Sequence, residues 1–498
     1  MKKCIGIALL ILIVWSANCA STLAATWYVD NRASGSNNGT SWSNAWESFA
    51  NINWGGVAPG DNVYISGGSS SKIYNETLDI DASGTSNNNI IIQTGQDAGH
   101  NGTVIIDGQD SRNNCILLSD YVTVSGQVGN NRRMLIRGSL ASGIHSGSAD
   151  GNVIKFVEIT DCGSEGAPGS FAHGIRLGAA NNDCEVAYNY IHHNYADGYN
   201  AGGSAGGRFG VTKIHDNIIV DNSDDGIACR SGHDIYNNVI GNLFHHPGGG
   251  DGHPDGIQAQ GEYTRIWNNE VYNCHTHGIF ADPYRVGTAR HIYIYNNLVY
   301  KTNEAPADMN MQGIKVKAES GTDLIEDVLV ANNTVVDMGY LGIQIKASNT
   351  NGVIVKNNLI YNNRLSGTHG YVLGATNNEP DIDYNLVNEG PNGGTKMLWN
   401  DVNITYNEFV GSGFGQQHGQ TGRPIFINYQ QLSPNNNFHL DSSDTAAIGN
   451  GINLSSYFTT DKDGNNRASW DIGCYAADSD NPSPPDAPTP PANVEIVN

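Results

Sequence analysis

Along its central stretch the chain repeats one pattern, an asparagine followed by a short apolar run, in segments such as IYNNVIGNLF, RIWNNEVYN, HIYIYNNLVY, VLVANNTVVD and VIVKNNLIYN. Apolar and polar residues alternate in these segments, which predicts short strands; none carries the apolar face at period 3.6 that a helix would bury. The asparagine recurs as Asn189, Asn217, Asn238, Asn269, Asn297, Asn333, Asn358 and Asn385, at gaps of 28, 21, 31, 28, 36, 25 and 27 residues. A unit loose in length but fixed in composition predicts a solenoid. Asparagines stacked at one corner would satisfy their amides from the copies above and below. The pattern predicts an all-β chain folded as a parallel β-helix.

A second column runs through the same units: Gly143, Gly174, Gly198, Gly226, Gly256, Gly278, Gly313 and Gly342, each followed by Ile or Tyr. A glycine once per coil marks a corner needing positive φ or close approach to the neighbouring coil. About ten coils are expected, counting degenerate ones near 90–106 and 115–136, which at parallel strand spacing makes a rod of about 50 Å. Upstream, TWYVDNRASGSNNGTSWSNAWESFANI predicts a short strand, a glycine-rich turn and an amphipathic helix that cap the first open edge. Beyond Asn385 the repeat decays into longer loops ending at DIGCYA. Residues 26–476 form the β-helix domain in this reading, and the Pro-rich 477–498 form an extended tail.

Alternation places the side chains around the glycine column. Ile175 and Leu177, Ile227 and Cys229, Ile257 and Ala259, Ile279 and Ala281, Ile314 and Val316, Ile343 and Ile345 should point inward. Arg176, Arg230, Gln258, Gln260, Asp282, Lys315, Lys317, Gln344 and Lys346 should then face solvent, beside a pre-glycine row of His173, Asp197, Asp225, Asp255 and His277. With Asp224, four carboxylates fall on three successive coils about 5 Å apart. Such a cluster is unfavourable by roughly a few kcal/mol unless a cation or raised pKa values relieve it. A solvent-facing, oxygen-rich site of this kind suits Ca²⁺.

Bulk composition narrows the partners. The formal charge of −23 argues against nucleic acid or an anionic membrane surface, but a cation or a basic cluster can still mediate contact with a polyanionic substrate. Lys2 and Lys3, an apolar run from Ile5 to Trp15 and small residues before Thr26 read as a secretory signal over 1–25, so the protein is expected outside the cell. Lipoprotein anchoring at Cys19 is the weaker alternative, because Ser16 stands where such a box has Leu. No other stretch is apolar enough to span a bilayer. Cys115, Cys162, Cys184, Cys229, Cys274 and Cys474 show no CxxC spacing and are expected as buried thiols. A monomer is expected.

WYVDN with GTSWSNAW, PGDNVYISGG, the repeated glycine and asparagine coils, and the closing DIGCY together resemble the secreted bacterial right-handed parallel β-helix proteins of the pectate-lyase-like superfamily. That resemblance covers nearly all of residues 26–476 and implies a right-handed single-stranded helix. The group holds polysaccharide lyases, hydrolases and uronan epimerases. ADGYN and NSDDGIACR are similar to the coils of calcium-dependent pectate lyases that use a lysine base, which implies Asp197, Asp224 and Asp225 as metal ligands. Ala228 departs from that family's further calcium aspartate, for which Asp255 could substitute. Gln258 stands where the catalytic lysine is expected, and GIKVKA offers Lys315 or Lys317 two coils on.

The expected chemistry is Ca²⁺-assisted β-elimination on an acidic, uronate-containing polysaccharide such as pectate, with Lys315, Lys317 or Arg230 as base. Arg176, Arg285, His173, His277, Gln260, Asp282 and Tyr284 would line the substrate. Two alternatives stand beside it. An inverting hydrolase would use the aspartate row as acid and base, although the GHG and RIK marks of polygalacturonases are only partly echoed by THG at 276–278 and GIK at 313–315. A non-catalytic carbohydrate-binding solenoid would use exposed tyrosines.

Overall fold

The computed structural model describes residues 24–147, 150–164, 172–178, 183–201, 210–244, 253–282, 288–306, 309–317, 324–347, 349–362, 371–375, 380–388, 396–400 and 402–477. Each coil contributes one strand to each of three sheets. The first sheet has thirteen strands, from Thr26–Val29 to Asp381–Asp383, and the second has twelve, from Ser71–Tyr74 to Leu386–Asn388. The third also has thirteen, from Leu78–Asp79 to Val402–Thr405; only its last strand turns back antiparallel. The fold is a right-handed parallel β-helix. It has about two coils more than expected, because the coils at the two ends, around Leu78–Asp79 and from Tyr371–Ala375 to Lys396–Trp399, lie outside the glycine column.

Ile, Val and Leu at the inward positions form one continuous core along the axis. The six cysteines Cys115, Cys162, Cys184, Cys229, Cys274 and Cys474 lie buried as free thiols, filling space as small apolar side chains. The first and second sheets are joined by a two-residue corner whose first residue is left-handed: Tyr188, Asn237, Asn268, Asn296, Asn332, Asn357 and Tyr384 all have φ between 49° and 58°. The second residue is the ladder asparagine. Asn269 is typical: its Nδ2 donates to Asn297 Oδ1 and to the Ile235 carbonyl, both at 3.0 Å. Its Oδ1 accepts from the backbone N and the Nδ2 of Asn238 at 3.0 and 2.9 Å. The ladder closes on Gln416, whose Oε1 accepts from the backbone N and Nδ2 of Asn385.

The glycine column has a different cause. In the described coils a Cβ at Gly256 would stand 2.3 Å from Val271 Cγ1 and 2.4 Å from the Gly278 carbonyl, and Gly174, Gly198 and Gly226 are crowded in the same way. Close approach requires these glycines, and positive φ does not.

The amino-terminal cap differs from expectation. Three single-turn 3₁₀ segments, Trp42–Asn44, Phe49–Asn51 and Trp54–Gly56, replace the amphipathic helix. Ser41 caps the first through its side chain, and Gly55 and Gly56 interrupt the last. Trp46, Phe49, Ile52 and Val57 still cover the open end of the core. At the other end, residues 406–477 fold back over the outer face of the second sheet. There Phe426, Phe438, Leu440 and Tyr475 pack on Tyr300, Val336, Leu359 and Tyr361. Among the described residues no helix is long and apolar enough to cross a membrane.

Replacing Asn269 by Ala strands the donors of Asn238 in the core. Asn269→Ala should lower unfolding free energy by roughly 2–4 kcal/mol, while Asn351→Ala, at an exposed amide, should change it by less than about 0.5 kcal/mol. Guanidinium midpoints for the two variants check this.

Candidate functional site

At the corner entering the third sheet, the pre-glycine row makes a second ladder. The backbone N of Asp225 donates to Asp197 Oδ1 at 3.2 Å, that of Asp255 to Asp225 Oδ1 at 2.8 Å, and that of His277 to Asp255 Oδ1 at 2.9 Å. Asp197's own N–H points to His173 Nδ1 at 3.3 Å. One oxygen of each carboxylate therefore does the work of an asparagine oxygen. These bonds draw the row inward: Asp197, Asp225 and Asp255 are only 4, 4 and 0 % exposed, and His173 and His277 are buried too. The expectation of a solvent-facing row is corrected accordingly. Strand alternation does not govern a residue whose side chain must reach the next coil's N–H at a corner.

The second oxygens have separate fates. Asn200 Nδ2 donates to Asp197 Oδ2 at 2.6 Å. Asp255 Oδ1 also meets His277 Nδ1 at 2.9 Å. Its Oδ2 is buried with no hydrogen-bond partner among the described residues, and His253 Nδ1 stands 3.4 Å away, near enough for ion pairing. Ligand atoms of Asp225, His253 and Asp255 all lie within 4.8 Å of one another. Of the four aspartates proposed as metal ligands, the structure gathers Asp225 and Asp255 into this group; Asp197 is committed to Asn200, and Asp224 lies beside the group, partly exposed.

Electrostatics divide the cluster. Burial, reinforced by Asp197, pushes Asp224 up to about 7. Asp225 is pushed well above the carboxylate range by burial and then by Asp197 and Asp255. Asp255 is just as buried, but His277 and His253 outweigh that burial and hold it below its ordinary value. Close pairing with the Asp255 carboxylate is the main cause that lifts His253 to about 9.

Across the face of the third sheet, Arg176, Asn200, Ala228, Gln258, Phe280, Lys315 and Gln344 stand in register, one per coil. Gln258 and Gln344 are buried within this row, as is Asp282 at its edge, so they do not face open solvent. Arg176, Arg230, Gln260, Lys315 and Lys317 keep partial exposure. Phe280 stacks on His277 with centroids 4.5 Å apart, and Lys315 Nζ lies 5.7 Å from the Phe280 ring. Lys315 is thereby linked to the aspartate corner through one aromatic and one imidazole. Lys317 sits beside Lys346 in the next coil. Tyr284 and Arg285 lie outside the described residues. Sequence reasoning missed His253, Asn200 and Phe280. For His253 a signal existed, since it precedes Asp255 by two residues and an extended chain puts such residues on one side.

Comparison with known proteins agrees on architecture. The family model described as right handed beta helix region matches residues 251–466. The chain is similar to that family over this stretch. No curated protein sequence matches. Among solved structures, pectate lyase Pel9A aligns with 91 % of this chain and 97 % of its own at 13 % identity and a TM-score of 0.47. The GH136 lacto-N-biosidase from Eubacterium ramulus aligns over 66 % of this chain and 64 % of its own, at 12 % identity and a TM-score of 0.40. An alginate lyase from Paenibacillus sp. str. FPU-7 covers 61 % and 95 % at 13 % identity and a TM-score of 0.33. Likeness at these TM-scores carries no argument about fold or activity.

The pKa pattern fixes a pH signature. Asp224 and Asp225, raised on folding, stabilise the protein fully below their ordinary 3.8 and progressively less as pH climbs through about 7 and beyond. His253, also raised, contributes fully below 6.5 and loses its contribution as pH passes about 9. Asp255, lowered, contributes above 3.8 and loses its share on acidification. In EDTA the melting temperature should peak between about pH 4 and 6.5 and fall towards about pH 9. Asp225→Asn should flatten that fall, as thermal scans across pH would show.

Proposed function

We propose that this protein is an exported enzyme that cleaves an acidic, uronate-containing polysaccharide by β-elimination, with a divalent cation held at the Asp225–Asp255 corner. The observation that carries the reading is the charge of that corner. An asparagine row would accept the same backbone N–H groups, as the neighbouring corner demonstrates, without stacking like charges in a buried place. Carboxylates kept at such a cost point to a task beyond folding. The buried Asp255 Oδ2, ion-paired with His253 and hydrogen-bonded to nothing among the described residues, suits a cation together with Asp225. The two carboxylates suit Ca²⁺ or Mn²⁺, while the imidazole would favour a softer ion such as Zn²⁺. Bound there, the ion would neutralise a uronate carboxylate and so acidify the proton at C5.

The chain's own groups supply the remainder. Arg230 and Arg176 stand on the same face and would hold substrate carboxylates. Lys315, in its neutral form, would take the C5 proton; its link to the aspartate corner through Phe280 and His277 favours it over Lys317. Export is read from the signal-like residues 1–25.

A hydrolase is the second reading, supported by the opposite shifts of Asp225, raised, and Asp255, lowered. Their ligand atoms lie within 4.8 Å, closer than the roughly 6.5–9.5 Å an inverting mechanism needs to seat its water. That spacing disfavours Asp225 and Asp255 as the acid and base of an inverting mechanism, and leaves Asp197 with Asp255, two coils apart, as the pair for it.

Residues 26–477 incubated with pectate, alginate and neutral glycans should release product with ultraviolet absorbance together with new reducing ends on a uronan, and EDTA should abolish both. Asp255→Asn and Lys315→Ala should each lower kcat/KM by roughly 100-fold or more. Reducing ends without absorbance would establish the hydrolase instead. A protein that binds a glycan and releases neither signal would be a non-catalytic solenoid.

A further inference from the structure

The left-handed residues at the first corner carry side chains that point away from the core, and three of them clamp the folded-back carboxy-terminal segment. Asn296 donates to the Thr460 carbonyl at 2.7 Å and accepts from Arg467 Nη2 at 2.9 Å. Asn332 donates to the carbonyls of Asp471 and Gly473 at 2.8 and 3.0 Å. Asn357 pairs with the backbone of Ile452 in both directions, at 2.8 and 2.9 Å. The same row continues towards the amino terminus as Asn268 and Asn237, with φ of 56° and 54°. There the clamped segment has ended and a cleft of about 670 Å³ takes its place. Asn268 Oδ1 is buried with no hydrogen-bond partner among the described residues. The amides that grip a chain farther along thus face a cavity of the size that small-molecule sites occupy.

The cleft walls are preset. Glu270 accepts from the Tyr300 hydroxyl at 2.7 Å, and Asp463 holds His439 Nε2 at 2.7 Å. His439 in turn stacks on Tyr475 with centroids 3.8 Å apart. Asp216, Glu270 and Asp463 bring three carboxylates to the lining against one ammonium, Lys462, with Asp216 also paired to the His215 imidazole and Asp463 to that of His439. That balance repels uronates and phosphates. It also repels the chain's own residues 478–498, which carry Asp478, Asp480, Asp486 and Glu495 and no Lys or Arg. Carboxylates accept from sugar hydroxyls, and amides both donate and accept, so each group on the walls has a partner in an uncharged polyol.

We propose that this cleft binds a short neutral oligosaccharide, at a site separate from the aspartate corner. The two lie on different edges of the coil, one between the first and second sheets and the other at the entry to the third. The cleft would anchor uncharged glycan while the corner handles charged sugar; its test does not depend on the reaction at that corner.

The test is calorimetric titration of the full chain with cellotetraose, xylotetraose, mannotetraose and tetragalacturonate. The double variant Asn237→Gly/Asn268→Gly removes both amides while keeping residues that tolerate positive φ. Saturable binding of a neutral tetraose, about tenfold weaker in the double variant, with unchanged melting temperature and unchanged uronan cleavage, supports the proposal. Absence of neutral binding, equal affinity in the double variant, or tetragalacturonate binding with the same dependence on these amides overturns it. Neutral binding that emerges only after removal of 478–498 would also overturn it, by assigning the cleft to the chain's own tail.

Discussion

A side-chain oxygen that accepts the backbone N–H of the adjacent coil is the interaction on which this molecule depends. Strand pairing alone leaves every corner with donors facing nothing, and a corner buried between coils has no water to satisfy them. At the first corner asparagine answers this need, with its oxygen accepting two bonds and its nitrogen giving two. At the third-sheet corner aspartate and histidine answer it, reaching in the opposite direction along the axis.

The difference between the two corners is where fold and function separate. Amide stacks are neutral and lock register at little electrostatic cost. Carboxylate stacks perform the same structural task and add charge that burial makes expensive, so that Asp225 is pushed well above the carboxylate range while two imidazoles hold Asp255 below its ordinary value. Asp255 Oδ2, ion-paired with His253 and hydrogen-bonded to nothing among the described residues, then sits at a place rigidly set by the coil. Arginines and lysines one to three coils away share the same face, which is the arrangement an acidic polymer lying along the solenoid would meet.

Much of this was legible in the residues. The asparagine column repeats one side chain for one reason, and the inward Ile–x–Val alternation places the core without ambiguity. The glycine column was visible too, but its cause was not, since only the neighbouring coil's carbonyl reveals the crowding. The depth of Asp197, Asp225 and Asp255 was hidden because a corner residue obeys the reach of a ladder bond and not the strand period. The carboxy-terminal fold-back has no repeat to read: Phe426, Phe438 and Tyr475 look like scattered aromatics until Tyr300 and Tyr361 are seen beneath them. Asn296, Asn332 and Asn357 are the first members of NN pairs, which sequence alone cannot distinguish from their ladder neighbours in role.

The aspartate corner is proposed to hold a cation as well as a backbone. Crystals soaked in Mn²⁺ and measured at its absorption edge would test it most directly. An anomalous peak between the Asp225 and Asp255 carboxylates, lost when Asp255→Asn crystals receive the same soak, is the result this account predicts. A peak that persists in the variant, or none at that corner in crystals that hold Mn²⁺ elsewhere, would contradict it and leave the carboxylates as a ladder alone.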